Sequence, residues 1–284
     1  MRKHGSIVIE AIGGFLADDG WAVASHIALS GLTSLFPFLI FMTAMAGFFD
    51  SQYLSQAATR LIFGVWPDVV AKPITEQANA VLNTPRGGLL TFGAILALYF
   101  SSNAIEALRT GLNRAYDVVE TRSWWWLRLQ SILFIFIASF ALLALGFLVV
   151  GGPAFWRGLT HLFPELEPLR PFVTAARLLL AAIALIISLT LAHRWLPSAR
   201  LGLGDVAPGV AFTIVSSLAF GEAFGFYLNE FARNYVSTYA GLASVMIALV
   251  FLYSIAAIFV FGGELNAAIL RSAAAAAKKR PRSR

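Results

Sequence analysis

At 284 residues the chain is 58% hydrophobic and only 13% charged, with a mean hydropathy of +0.75. Soluble domains carry about 25% charged residues, so this balance excludes an ordinary soluble enzyme and points to a polytopic membrane protein. No cysteine is present, which excludes disulfides, iron–sulfur clusters and thiolate zinc sites, and the formal charge of +6 is explained by cytoplasmic loop charge before nucleic acid is invoked.

Taken in chain order, residues 1–20 come first. Ile7, Val8, Ala11, Ile12, Phe15 and Leu16 share one helical face, with Glu10 off it and Asp18–Asp19 at its end. This predicts an amphipathic helix lying in the interface. Glu10 interrupts the apolar stretch and no small-residue cleavage site follows, so the segment is expected to be retained rather than removed as a signal peptide. Residues 21–271 are expected to form an all-α transmembrane domain. A spanning helix needs about 20 mostly apolar residues, and six stretches qualify: 22–49, 88–110, 128–152, 172–194, 206–229 and 241–270.

The 50–87 connection carries Leu54, Ala58, Leu61, Ile62 and Val65, then Val70, Ile74, Ala78, Val81 and Leu82, at helical spacing. Pro67 and Pro73 separate the two patterns, so two short amphipathic helices are predicted in this outer loop. The Pro- and Gly-rich 153–171 connection is expected to be less regular. The tail, 272–284, is an alanine run followed by a basic cluster, read as topology charge with docking to anionic headgroups as its functional alternative. Arg2 and Lys3, the four arginines of 109–128, Arg194 and Arg200, and the six basic residues from Arg271 onward lie on one side, fourteen of the 21 Lys and Arg. The positive-inside rule then places both termini in the cytoplasm.

Few residues within the spans carry chemistry. On the second span, Tyr99, Ser102, Glu106, Arg109 and Asn113 line one helical stripe, with Asn103, Thr110 and Asp117 beside it. A face this polar should point into the bundle or a wet cavity. Glu106 and Arg109, three apart, are placed to pair along the helix. The first span carries His26, Ser30 and Thr33 on one side, then Pro37, a candidate kink or hinge. On the fifth span Ser217, Gly221 and Gly225 form a small-residue ridge suited to close helix packing, one that would permit a homo-oligomer. Glu222 beside it is a costly carboxylate within a span, and Arg233 follows toward the outer surface. The sixth span ends FGGELNAAILR, placing Glu264 and Asn266 at the level of Glu106 and Arg109, so that the four form a candidate inner cluster. The four histidines (His4, His26, His161, His193) show no pair at metal-ligand spacing, and neither a metal nor a cofactor is expected. SWWWLRLQ (123–130) reads as an interfacial aromatic belt.

SLFPFLIF (34–41), ALRTGLNRAYDV (107–118) and GGELNAAI (262–269) resemble, in order and spacing, segments of the YihY/virulence factor BrkB family. The likeness runs over most of the chain. It implies a bacterial inner-membrane protein with six spanning helices. Members have carried the name ribonuclease BN and are otherwise described as transporters or envelope-related factors, some linked to virulence. No catalytic residues carry over. This sequence offers no histidine–aspartate metal cluster and no soluble domain to hold RNA, so enzymatic activity is not expected.

The leading expectation is an inner-membrane transporter of a lipid or lipid-linked envelope precursor. In it Arg109 and Glu106, with Asn113, Glu264 and Asn266 near them, form an inner headgroup site, and Glu222 with Arg233 an outer one. Arg suits bidentate phosphate recognition. The expected partners are membrane lipids, anionic ones among them, and not nucleic acid. The competing readings are an exporter of a small soluble solute, which needs a hydrated central cavity, and a non-transporting envelope scaffold.

Overall fold

The computed structural model describes residues 2–47, 90–148, 152–231 and 233–278, and among them there is no strand. Helix α1 (Arg2–Ala17) is followed by α2 (Gly20–Gly47), α3 (Leu90–Ala115), α4 (Trp124–Gly146), α5 (Gly152–Leu162), a 3-10 turn (Pro164–Leu169), α6 (Arg170–Trp195), α7 (Leu203–Phe231) and α8 (Arg233–Lys278). Five stretches among the described residues are long and apolar enough to cross a membrane: Gly20–Phe41, Trp124–Gly146, Pro164–Trp195, Leu203–Leu228 and Val245–Ala277. The predicted helices of the 50–87 loop lie outside the described residues, as does the end of the basic tail.

Helices α2, α3, α4, α6, α7 and α8 pack on one another in that order, and α8 returns to α2, closing a ring; α8 also crosses to α3 and carries α1. Long exposed apolar faces surround it, such as Leu178, Leu179 and Ile186 on α6 and Val215 and Leu218 on α7. His193 is the one buried residue of α6. Apolar exposure on this scale exceeds what soluble monomers leave in water. The protein is a multi-pass membrane protein.

Local chemistry explains the boundaries. Asp18 and Asp19 separate α1 from α2, and Asp19 takes a left-handed backbone (φ 52°), a conformation that Asp tolerates better than most residues. α1 is therefore its own helix and not the start of α2. Its predicted apolar face divides in two. Ala11 and Phe15 are buried, while Val8, Ile12 and Leu16 are exposed together with Ile9. α2 runs unbroken through Pro37. The hydroxyls just before the proline are bonded, Thr33 donating to Leu29 O (2.9 Å) and Ser34 across to Phe100 O on α3 (3.1 Å).

Two expectations change. The 153–171 connection is helical for most of its length, because Pro153 sits in the first turn of α5, where a missing N–H is harmless. The helix that carries the last span also runs past 241–270 at both ends. With no proline between Arg233 and Lys278, and an alanine run at its end, α8 continues for 46 residues, about 69 Å at 1.5 Å per residue.

The tight α7–α8 crossing is made by glycines other than the predicted ridge. A Cβ on Gly262 would strike Thr213 Oγ1 and Gly209 O, and one on Gly209 would strike Gly262 O. Gly221 and Gly225 face open space. Spacing creates the capacity for close approach, but only a facing helix uses it.

Candidate functional site

The polar stripe of α3 meets α4 at one end of the ring. Glu106 lies about 24 Å along α3 from Leu90 at 1.5 Å per residue. Arg128, in the second turn of α4, organises the seam. Its guanidinium donates to Ser102 Oγ (2.5 Å) and Asn103 Oδ1 (3.1 Å), pairs with Glu106 (2.9 Å), and lies 3.9 Å from the centre of the Tyr99 ring. Arg109 is 5% exposed and donates through Nη2 to Leu127 O (2.8 Å) and to Ser131 Oγ.

The predicted Glu106–Arg109 pair is thus replaced by two cross-helix interactions, Glu106 with Arg128 and Arg109 with α4. Both arginines are nearly dry, and a buried guanidinium is held by whichever acceptors surround it. On α3 alone Glu106 is in reach of Arg109. In the folded ring α4 brings a closer cation to the one and carbonyl and hydroxyl acceptors to the other.

Below the seam the chain turns. α3 ends at Asp117, which is left-handed (φ 51°), and Val118 N–H returns to Asn113 O (2.9 Å), closing the helix end as a left-handed cap does. Asn113 Nδ2 donates to Glu120 Oε2 (3.0 Å), and its Oδ1 accepts from Ser198 N–H (2.7 Å). Arg122 grips both Glu120 oxygens (2.8 and 2.7 Å) and donates to Leu196 O (2.8 Å). The Arg122 hydrogen bonds hold the Glu120 carboxyl well below the usual carboxylate range, at about 2.

Between this turn, α2 and the start of α4 lies an open groove of about 810 Å3. Asp18, His26, Glu106, Arg109, Thr110, Asn113, Arg114, Asp117, Glu120 and Trp124 all line it. Glu106 and Glu120 are matched by Arg128 and Arg122, and Arg109 is tied to α4. What remains exposed toward the groove is mixed in sign: Arg114 against Asp117, with the His26 imidazole and the half-buried Asp18.

This geometry belongs to a chain whose residues 11–284 match the model of the virulence factor BrkB family. The protein is a member of the BrkB family. It is similar to the ribonuclease-like protein YfkH of Bacillus subtilis (strain 168), 29% identical over 272 residues that cover 92% of this chain and 94% of that one. No solved structure matches.

In this BrkB protein the proposed inner cluster divides. Glu106, Arg109 and Asn113 line the groove, while Asn266 and Glu264 lie on other sides of the same end. Asn266 is fully buried. It accepts Gly209 N–H (2.6 Å) and donates to Tyr116 Oη (3.1 Å) and Val206 O (3.2 Å). It locks α7 and α8 to the end of α3, and both of its amide N–H donors are already used. Burial pushes the Tyr116 phenol up to about 12. Glu264 is fully buried against α1. Glu222 is exposed on α7. Arg233 opens α8, and its side chain lies outside the described ones.

Sequence reading missed Arg128, Glu120, Arg122 and Trp124. The arginines were counted only as topology charge and the tryptophan only as belt. The available signal was position: Arg128 stands one turn after three tryptophans, inside a span where charge is costly. Among the described residues no three His, Asp or Glu side chains gather in a way that could hold a metal ion.

Proposed function

We propose that this BrkB protein is an inner-membrane transporter whose substrate is an amphiphile, a lipid or lipid-linked envelope precursor, held by its headgroup in the groove. In this reading α3 is a sixth span beside the five, and the groove end, with both termini, is cytoplasmic, in line with the basic-residue bias. The observation that carries the reading is the groove itself. It lies at one end of the helix ring, charged and polar side chains line it beside apolar ones, and apolar helix faces and Trp124 flank it. A headgroup can sit there while acyl chains stay among lipid.

The geometry also changes the headgroup chemistry expected. Arg109, the sequence candidate for phosphate, has its Nη2 tied to α4. Arg114, with the His26 imidazole, and the carboxylates of Asp117 and Asp18 suit a zwitterionic headgroup, phosphate toward Arg114 and ammonium toward the carboxylates. A central aqueous path for a soluble solute gains no support, because α4 covers the α3 stripe. The ribonuclease-like name of the relative is not extended to this chain. We read it as a non-enzyme, since Glu106 and Glu120, two carboxylates of the groove, are engaged by arginines.

The test is mass spectrometry of lipids retained by the purified protein and by the Arg114→Gln, Asp117→Asn double variant. The expected result is one zwitterionic lipid or precursor enriched over the bulk membrane and lost from the variant. Bulk composition in both would overturn the reading.

A further inference from the structure

The buried end of α8 contains a carboxylate that the packing of the fold does not account for. Glu264 is 0% exposed, and neither carboxylate oxygen has a hydrogen-bond partner. Its surroundings were cleared for it: a Cβ on Gly14 of α1 would lie 2.5 Å from Glu264 Oε2. The facing groups are few. From α8 itself comes Arg271, whose Nη2 is 3.9 Å away, but Arg271 is 43% exposed and is already engaged with Glu10 of α1 at 3.0 Å. From the α1–α2 turn comes Asp18, one helical turn beyond Gly14, to whose carbonyl its N–H donates (2.8 Å). From α3, Tyr116 is near and uncharged, Arg114 donates to the Asp18 backbone carbonyl (3.3 Å), and Asp205 of α7 adds a further negative charge beyond Tyr116.

The charges on this seam do not balance. Glu10 and Glu264 share a single cation on α8, Arg271, at 3.0 and 3.9 Å, Asp18 stands beside them, and the carboxylate in the dry position has the longer pairing. A carboxylate as dry as Glu264 is costly to ionise beside a second carboxyl, and one bound proton removes that cost. Asp18 also lines the groove. It is therefore the group through which a proton reaches Glu264 from water.

We propose that Asp18 and Glu264 form a proton-binding site at the α1–α8 seam, holding one shared proton that exchanges with the groove through Asp18. Proton loss leaves two carboxylates opposed, so α1 loosens from α8. The balance is simple: one proton passes from water to a carboxylate oxygen and returns, with no other reactant. The site stands on its own geometry and does not depend on what the groove carries.

The experiment is an infrared pH titration of the intact protein in nanodiscs, following the carbonyl band of protonated carboxyls. A spin label at Ile9→Cys, an exposed α1 position in a cysteine-free chain, reports the motion of α1. The expected result is a band present at near-neutral pH and lost as pH rises, with label mobility increasing over the same range. Glu264→Gln should remove that band and leave the label immobile throughout. Should this variant fail to fold, Asp18→Asn decides: with its neighbour's charge gone, Glu264 should release its proton at lower pH. A wild-type protein without the band, a band unchanged in Glu264→Gln, or a midpoint unmoved in Asp18→Asn overturns the site. A label indifferent to pH in the wild type overturns the coupling to α1.

Discussion

Arg128→Met is the sharpest probe of the seam that forms one wall of the groove. The side chain is 8% exposed and satisfies Ser102 Oγ, Asn103 Oδ1 and Glu106 together. Removing one partner of a buried pair costs about 3–5 kcal/mol, because the other charge is stranded. Glu106 keeps 33% of its side chain exposed, so water recovers part of this, and about 2–3 kcal/mol is expected after allowing for partial solvation. Glu106→Gln keeps the hydrogen-bond geometry but leaves Arg128 without a counter-charge, for about 1–2 kcal/mol. The diagnostic quantity is the coupling. In the double variant no charge is stranded, so its cost should fall below the sum of the singles by at least about 1 kcal/mol. Unfolding in mixed micelles, followed by circular dichroism, measures all four corners of the cycle. Additivity within about 0.5 kcal/mol, or an Arg128→Met variant as stable as the parent, would refute the assignment of Arg128 as the centre of the seam.

Three further outcomes follow from particular contacts. Gly262→Ala should destabilise strongly, since its methyl meets the Gly209 carbonyl at 2.9 Å, while Gly221→Ala, with open space around it, should be neutral or gain up to about 1 kcal/mol in helix propensity; thermal melts of both compare them directly. The carboxyl of Glu120, held at about 2 by Arg122, contributes stability that is complete above the ordinary carboxylate pKa of about 4.3 and is lost as pH falls toward 2; Glu120→Gln should flatten that acid limb of a stability–pH profile. Because the chain has no cysteine, single cysteines at the exposed Thr121 and Glu165 test topology: an impermeant thiol reagent should reach Glu165→Cys from outside intact spheroplasts and Thr121→Cys only after lysis.

How legible all this was in the sequence depended on the range of the interaction involved. Helix existence was local, and hydropathy and capping residues gave it, including the separate α1 with Asp18–Asp19 at its end. The direction of the α3 stripe was also legible, because a face with Ser102, Glu106, Arg109 and Asn113 has nowhere to go but inward. Partners were not legible. The helical repeat places Glu106 near Arg109, yet only the fold brings Arg128 closer. The partner at the close crossing was hidden for the same reason: nothing in the spacing says that Gly209 faces Gly262, while Gly221 and Gly225 stand in open space within this chain. Pro153 misled because its effect depends on whether it starts a helix or interrupts one, and spacing alone leaves that open.

The groove end of the ring is cross-tied by polar contacts between segments far apart in the chain. Asn113 holds the backbone of Ser198, Arg122 holds Leu196, Gln130 holds Trp195, and Asn266 holds α7 to α8 and to Tyr116. In surroundings drier than water each such bond is strengthened, and breaking one strands a polar group. This end therefore resists rearrangement, and the helices that form it should move as one body. The α1–α8 seam is built differently. Its ion pair, Glu10 with Arg271, is two-fifths exposed on both sides and so contributes little to stability, and its buried carboxylate is unbonded. If the ring changes shape while it works, the change of lowest cost at this end is the release of α1, the helix that carries Asp18 at the edge of the groove.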